Sequence, residues 1–198
     1  MIQALLIVLS IAPIATMLVL LYHIKRNGMG FTGKASITPY LYYTAKAALF
    51  ILLFIMLPGV CIYPDILLYL PFRLQDKIPI VQQFMSVPFL LGGNLLFIPA
   101  CISLGIFTRM GIPDKSHMLQ TSGVYHISRN PMYAGFLFYY IACFILLPSL
   151  ITGILISYSA IVHHFIIKNE EKYLTETFGD TYSQYKKHVA RYLFITPF

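Results

Sequence analysis

Residues 132 to 167 read MYAGFLFYYIACFILLPSLITGILISYSAIVHHFII, an apolar block without one Asp, Glu, Lys or Arg. A helix needs about 20 such residues to cross roughly 30 Å of hydrocarbon, so this block is too long for a single crossing. Pro148-Ser149 interrupts it and reads as a tight turn. The block is therefore a hairpin of two spans, approximately 131–148 and 149–167. In hydrocarbon every backbone amide needs an internal partner, which leaves helices or a closed barrel. No period-2 alternation runs through the block, so helices are selected.

The rest of the chain extends the pattern. Of its 198 residues 58% are hydrophobic and 11% charged, against about a quarter charged in an ordinary soluble domain. One soluble core of this size cannot hide that much apolar surface. Ile2 to Leu21 predicts a first span. Its leading residues carry no Lys or Arg and its apolar stretch is too long for a signal peptide. A second span is expected over 45–63, with Pro58-Gly59 near its far end, and a third over 86–107. There Gly92-Gly93 would permit close contact with another helix. Between them Ile66 to Phe72 is too short to cross and contains Pro71, so 65–83 reads as interfacial. The prediction is an all-α, polytopic membrane protein of about five transmembrane helices, one integral membrane domain over 1–198. Residues 168–198 form an amphipathic helical tail, with Tyr182, Tyr185, Val189 and Tyr192 as an aromatic stripe.

The net charge of +7 does not indicate nucleic acid, because no basic cluster interleaves with aromatics. The positive residues sit between apolar runs, and Lys and Arg concentrate in cytoplasmic loops. An N-terminus outside and a C-terminus in the cytoplasm put Lys25, Arg26, Lys34, Lys46, Arg109, Lys115, Arg129 and every C-terminal base inside. Only Arg73 and Lys77 fall outside. The loop before the fourth span and the tail then share the cytoplasmic face. Cys61, Cys101 and Cys143 lack metal-like spacing and read as small buried hydrophobes.

Three short features bear on chemistry. Asn130-Pro131 gives a cap and a first helical residue, so the helix end presents amides that suit a carboxylate or phosphate. A capped membrane helix with no ligand shows the same pair. Glu170-Glu171 sits at a helix end that prefers cations, which suits a cationic ligand, or else a solvated end flanked by Lys168 and Lys172. His163-His164 point to different sides of a helix, and with no third ligand at suitable spacing no metal is expected.

Two blocks carry a family resemblance. His117-Met-Leu-Gln-Thr-Ser-Gly123-Val-Tyr125, followed by Arg129-Asn-Pro-Met-Tyr133-Ala-Gly135, resembles the signature of isoprenylcysteine carboxyl methyltransferases. That signature is approximately H-x-L-x-T-x-G-x-Y-x-x-x-R-H-P-x-Y-x-G. The stretch Glu170-Glu171-x-x-Leu174-x-x-x-Phe178-Gly179-x-x-Tyr182-x-x-Tyr185 is similar to the family's other hallmark. Together they span roughly residues 100 to 192.

The resemblance implies a membrane methyltransferase that uses S-adenosyl-L-methionine and acts on an isoprenoid or lipid-like substrate entering from the bilayer, with carboxylate O-methylation as one form. It implies a cofactor pocket lined by His117, Met118, Leu119, Gln120, Tyr125, Asn130, Pro131, Met132 and Tyr133. Glu170 would close the pocket, with Arg129, Glu171 and Arg191 as catalytic candidates and the tail completing it. The chain departs from the family at Asn130, where a His is usual, and at Ile166, where a substrate-facing Arg is usual. The Arg191-to-Pro197 spacing is also longer. The nearest candidate cations to position 166 in sequence are His163, His164 and Lys168. Two alternatives are an NADPH-dependent reductase of the steroid-reductase type and a non-catalytic family member. For the reductase, Phe136 stands where those proteins commonly have Glu.

Overall fold

The computed structural model describes residues 1–30, 33–108 and 118–193. Five helices carry the fold: α1 (Ile2–Arg26), α2 (Pro39–Ile62), α3 (Ile80–Leu104), α4 (Pro131–Leu146) and α5 (Leu150–His188). α1, α2, α3 and α5 are long and apolar enough to cross a membrane. α4 has 16 residues, about 24 Å at 1.5 Å per residue, and is shorter than the span expected there. No strand forms among the described residues; an isolated bridge joins Arg73 and Ser149.

Each helix follows from its sequence. α1 ends on His23, Lys25 and Arg26, cations that complement the negative end of the helix dipole. Within it, Ser10 and Thr16 donate back to Ile7 O and Ala12 O, both at 3.0 Å, so neither hydroxyl is left unpaired among apolar neighbours. α2 begins at Pro39, six residues before the expected boundary, because proline suits a first helical turn. Residues Ile51–Met56 widen into a π-helical turn just before Pro58. The proline ring clashes with the carbonyl four residues back, and a wider turn relieves it.

The Gly92-Gly93 close contact is present, against α4. A methyl on Gly93 would lie 2.5 Å from the Tyr139 ring, and one on Gly135 would lie 3.1 Å from Gly93 O and 3.2 Å from Phe97. The two backbones approach because none of these positions has a side chain. Asn94 then donates to Leu9 O at 2.9 Å and accepts from the Tyr139 hydroxyl at 3.0 Å, tying α1, α3 and α4 together. Leu52, Leu57, Leu90, Phe97, Cys101 and Cys143 are buried around this junction. All three cysteines are free and buried.

α2 and α5 form a second pair through Tyr42, Ala45, Val162 and Ile166, with Thr44 Oγ1 2.6 Å from the Tyr158 hydroxyl. Ser149 caps α5 by accepting from Thr152 N at 3.1 Å, so the expected turn forms at Pro148-Ser149. The segment read as interfacial binds this turn, with Leu74 N on Pro148 O at 2.9 Å and Leu150 N on Phe72 O at 3.1 Å. α5 does not stop where the apolar run ends. It continues to His188 with a kink at Gly179, whose φ of 54° only glycine adopts readily. Val189 is extended, so Val189 and Tyr192 lie past the helix, and the expected stripe is helical only as far as Tyr185.

Many large apolar side chains face outward, among them Val8, Leu18, Val19, Leu95, Ile102, Ile154 and Phe165. That is the inverse of a soluble domain and fits lipid as the surrounding solvent.

Candidate functional site

The site forms where the start of α4 meets the polar half of α5. Asn130 precedes the helix and Pro131 takes its first position, as the sequence predicts. The expected side-chain cap does not form. Asn130 Nδ2 donates instead to Glu171 Oε1 at 3.0 Å and to Arg191 O at 3.3 Å. A charged acceptor makes a bond roughly twice as strong as a neutral one, and the buried carboxylate draws the amide away from the helix end.

Glu171 is the hub. Arg129 donates to it through Nε at 3.2 Å and Nη2 at 3.4 Å, and Arg191 through Nε at 3.1 Å and Nη2 at 2.9 Å. The Glu171 and Arg129 side chains are 3% and 6% exposed, whereas that of Arg191 is 34% exposed. Burial alone would push the Glu171 carboxyl up. The two guanidiniums outweigh it and hold the group below the usual glutamate range. The same contact raises Arg191. Arg129 Nη1 also donates to Lys186 O at 3.1 Å and Val189 O at 2.6 Å. Its backbone N–H meets Ala190 O at 2.8 Å, and Ser128 Oγ meets Arg191 O at 3.1 Å. The three residues expected to be catalytic thus bind one another and stitch the chain after α5 onto the start of α4.

Glu170 faces a different partner. Both its oxygens accept from the Tyr133 hydroxyl at 3.1 Å, and among the described residues no ion pair forms on it. Tyr125 is buried in the short Gly123–His126 turn, and its carbonyl accepts from the Tyr185 hydroxyl. Pro131 is buried and Met132 packs on the core beside Tyr133. The first arm of the expected pocket is less engaged. Met118 is 90% exposed, Leu119 is half-buried, and among the described residues Gln120 bonds to nearby Ser122, at 2.9 Å. His117 lies outside the described residues, as do Arg109 and Lys115.

The cations expected near position 166 lie elsewhere. Lys168 is exposed, and His164 stacks on Tyr192 with Nδ1 3.0 Å from its hydroxyl. His163 is buried against Tyr133 and Phe136, Nδ1 bonded to Ser159 O at 2.7 Å. The cation that does reach the site is Lys46 of α2, whose Nζ lies 5.1 Å from the Tyr133 ring centre. Sequence reading counted it only as an inside charge. Its signal was a lysine eight residues into a helix otherwise bound for lipid. Among the described residues no group of three metal-ligating side chains forms.

Comparison with known families bears directly on this arrangement. The model of the phospholipid methyltransferase family matches residues 81–181, half of the chain. The chain belongs to that family. The matched region takes in α3 from Val81, all of α4 and α5 as far as Thr181, and with them Arg129, Tyr133, Glu170 and Glu171. Over 79 residues the chain is 37% identical to a protein-S-isoprenylcysteine O-methyltransferase of Schizosaccharomyces pombe, which covers 38% of this chain and 33% of that protein. It is 35% identical over 79 residues to protein-S-isoprenylcysteine O-methyltransferase B of Arabidopsis thaliana, covering 38% and 39%. The A form from the same plant is 31% identical over 80 residues. The match thus spans well under two thirds of each relative's length. The family's phospholipid methyltransferase description and the relatives' names agree with the motif resemblance.

Proposed function

We propose that this chain is an integral membrane methyltransferase that uses S-adenosyl-L-methionine and acts on a lipophilic acceptor at the shared end of α2, α4 and α5. The observation that carries the reading is Glu170. It is a carboxylate held by one tyrosine hydroxyl, that of Tyr133 in the first turn of α4, a helix whose start no side chain caps.

The residues suit the cofactor's charges. Glu170 and the face of Tyr133 favour a cation, and the open first turn of α4 favours a carboxylate. When bound, the cofactor supplies a methyl group on a positively charged sulfur. Glu171 has its oxygens taken by Arg129, Arg191 and Asn130, so these three act by positioning the α4 start and the chain around residue 190. Alignment is what such a displacement chiefly requires. A carboxylate acceptor is already ionised at neutral pH and needs no base. The positive bias of the loops supports a cytoplasmic site, and the names of the relatives support an isoprenoid acceptor.

Titrating the purified protein with S-adenosyl-L-methionine tests the reading. Saturable binding is expected, weakened about tenfold or more in Glu170→Ala by loss of one charged contact. Absence of binding in the unaltered protein overturns it.

A further inference from the structure

Lys46 lies seven residues beyond Pro39, about 10 Å along α2, inside a helix apolar enough to cross a membrane. A cation in such a helix is costly and normally has a partner. Among the described residues no carboxylate lies within 4.0 Å of its Nζ. Instead the ammonium sits over two tyrosine rings, 5.1 Å from the centre of Tyr133 and 5.5 Å from that of Tyr42. Glu170 and His163 are within Coulombic reach.

Beside it is a second unmatched group. Among the described residues the Tyr42 hydroxyl has no hydrogen-bond partner, although the residue is only 1% exposed. A buried donor left unpaired carries a penalty that a ligand oxygen would remove. Tyr42 and Lys46 are four residues apart and so share a helix face. The neighbouring His163 is engaged through Nδ1 by Ser159 O, and its Nε2 has no hydrogen-bond partner among the described residues.

Tyr133 therefore stands between opposite charges, its hydroxyl on Glu170 and its face under Lys46. We propose that Lys46 and the Tyr42 hydroxyl form the acceptor's subsite, selecting lipophilic molecules whose head is a carboxylate or a phosphate and rejecting neutral and cationic heads. The inference rests on the methyltransferase reading and names the chemistry of its second substrate. Glu170 faces the cationic donor, Lys46 faces the anionic acceptor, and the tyrosine ring separates them. The exposed apolar side chains of α2 and α5, Tyr43, Ile161 and Phe165 among them, suit the acceptor's hydrocarbon tail.

The test uses the full chain in a neutral detergent and three probes of one tail length: palmitate, hexadecyl phosphate and hexadecanol. One of the two anions at least is expected to bind about tenfold or more tighter than hexadecanol, the scale of one charged hydrogen bond. Lys46→Met keeps the aliphatic stem and should abolish that preference, whereas Lys46→Arg should keep it. Tyr42→Phe, which removes only the hydroxyl, should reduce it several-fold. Which anion is favoured separates a carboxylate acceptor from a phosphate one. An undiminished preference in Lys46→Met, or none in the unaltered protein, overturns the proposal. S-adenosyl-L-methionine binding is measured on the same samples. Its loss in the unaltered protein would overturn the methyltransferase reading while leaving the anion measurement interpretable by itself.

Discussion

Five donor contacts from Arg129, Arg191 and Asn130 converge on the two oxygens of Glu171, more than the roughly four lone-pair directions a carboxylate offers. Removing that carboxylate leaves Arg129, 6% exposed, without its counter-charge. Breaking one side of a buried pair costs about 3–5 kcal/mol, and the partial exposure of Arg191 places Glu171→Ala near the lower figure. A fall of several degrees in the thermal midpoint in detergent is the expected reading. Glu170→Gln should lower that midpoint less than Glu171→Ala does, because it alters one tyrosine bond and a longer-range attraction to Lys46 rather than a buried ion pair. The Glu171 carboxyl is depressed in the folded protein, so its contribution is complete above the unfolded glutamate value, about 4.3. It is lost as pH falls below that value and through the folded one. Between pH 6 and 8 this group should leave the midpoint flat, and a Glu171-dependent slope there would contradict the assignment. The motif made every one of these residues legible, but not which glutamate does what. Adjacent helical positions differ by about 100° in direction, and only the packed phase of α5 turns Glu171 to the arginines and Glu170 to Tyr133. Lys46 was missed because Tyr133 and Glu170, which bring it into the site, lie far downstream on other helices.

The junction of α3 and α4 depends on missing side chains. At Gly135 an added methyl would press on backbone, Gly93 O at 3.1 Å, as well as on Phe97. Backbone cannot step aside as a side chain tip can, so Gly135→Ala should spread the two helices and cost about 1–3 kcal/mol. Thermal unfolding checks this, and an unchanged midpoint would mean that the helices separate freely. Helix existence and the glycine contact were readable because long apolar runs and small residues are local signals. The boundaries were less so. α2 and α3 begin earlier than their apolar runs, at Pro39 and Ile80, since Thr44 and the Gln75–Gln82 amide pair (2.7 and 3.1 Å) satisfy polar groups that hydropathy counts against a helix. α5 outlasts its span because nothing after Ile167 breaks a helix until Gly179, and even there the chain only kinks. The Asn130 cap failed as an expectation for a tertiary reason: its amide found a charged partner on another helix.

At the scale of the whole molecule, the starts of α2 and α4 meet the polar half of α5 at the site, while the Phe72–Leu74 segment grips the α4–α5 turn at the other end. The orientation proposed from the loop charges, with the site in the cytoplasm, is open to a direct test. The three native cysteines are buried, so single introduced thiols report sidedness cleanly. Gln75→Cys should react with an impermeant maleimide on intact cells, and Thr177→Cys only after permeabilisation. The reverse pattern would move the site to the outer face. Membrane composition and the order of the spans were legible because lipid imposes them on sequence directly. The way three separate stretches of chain meet was legible only through the family motifs.

The Glu171 cluster also has a consequence for biogenesis. Arg129 lies before the last hairpin and Arg191 after it, so the carboxylate between them cannot gain both partners until every helix has been inserted. An incompletely integrated chain would hold the α4 start unanchored, and assembly of the cluster thereby makes the finished site a report on complete insertion.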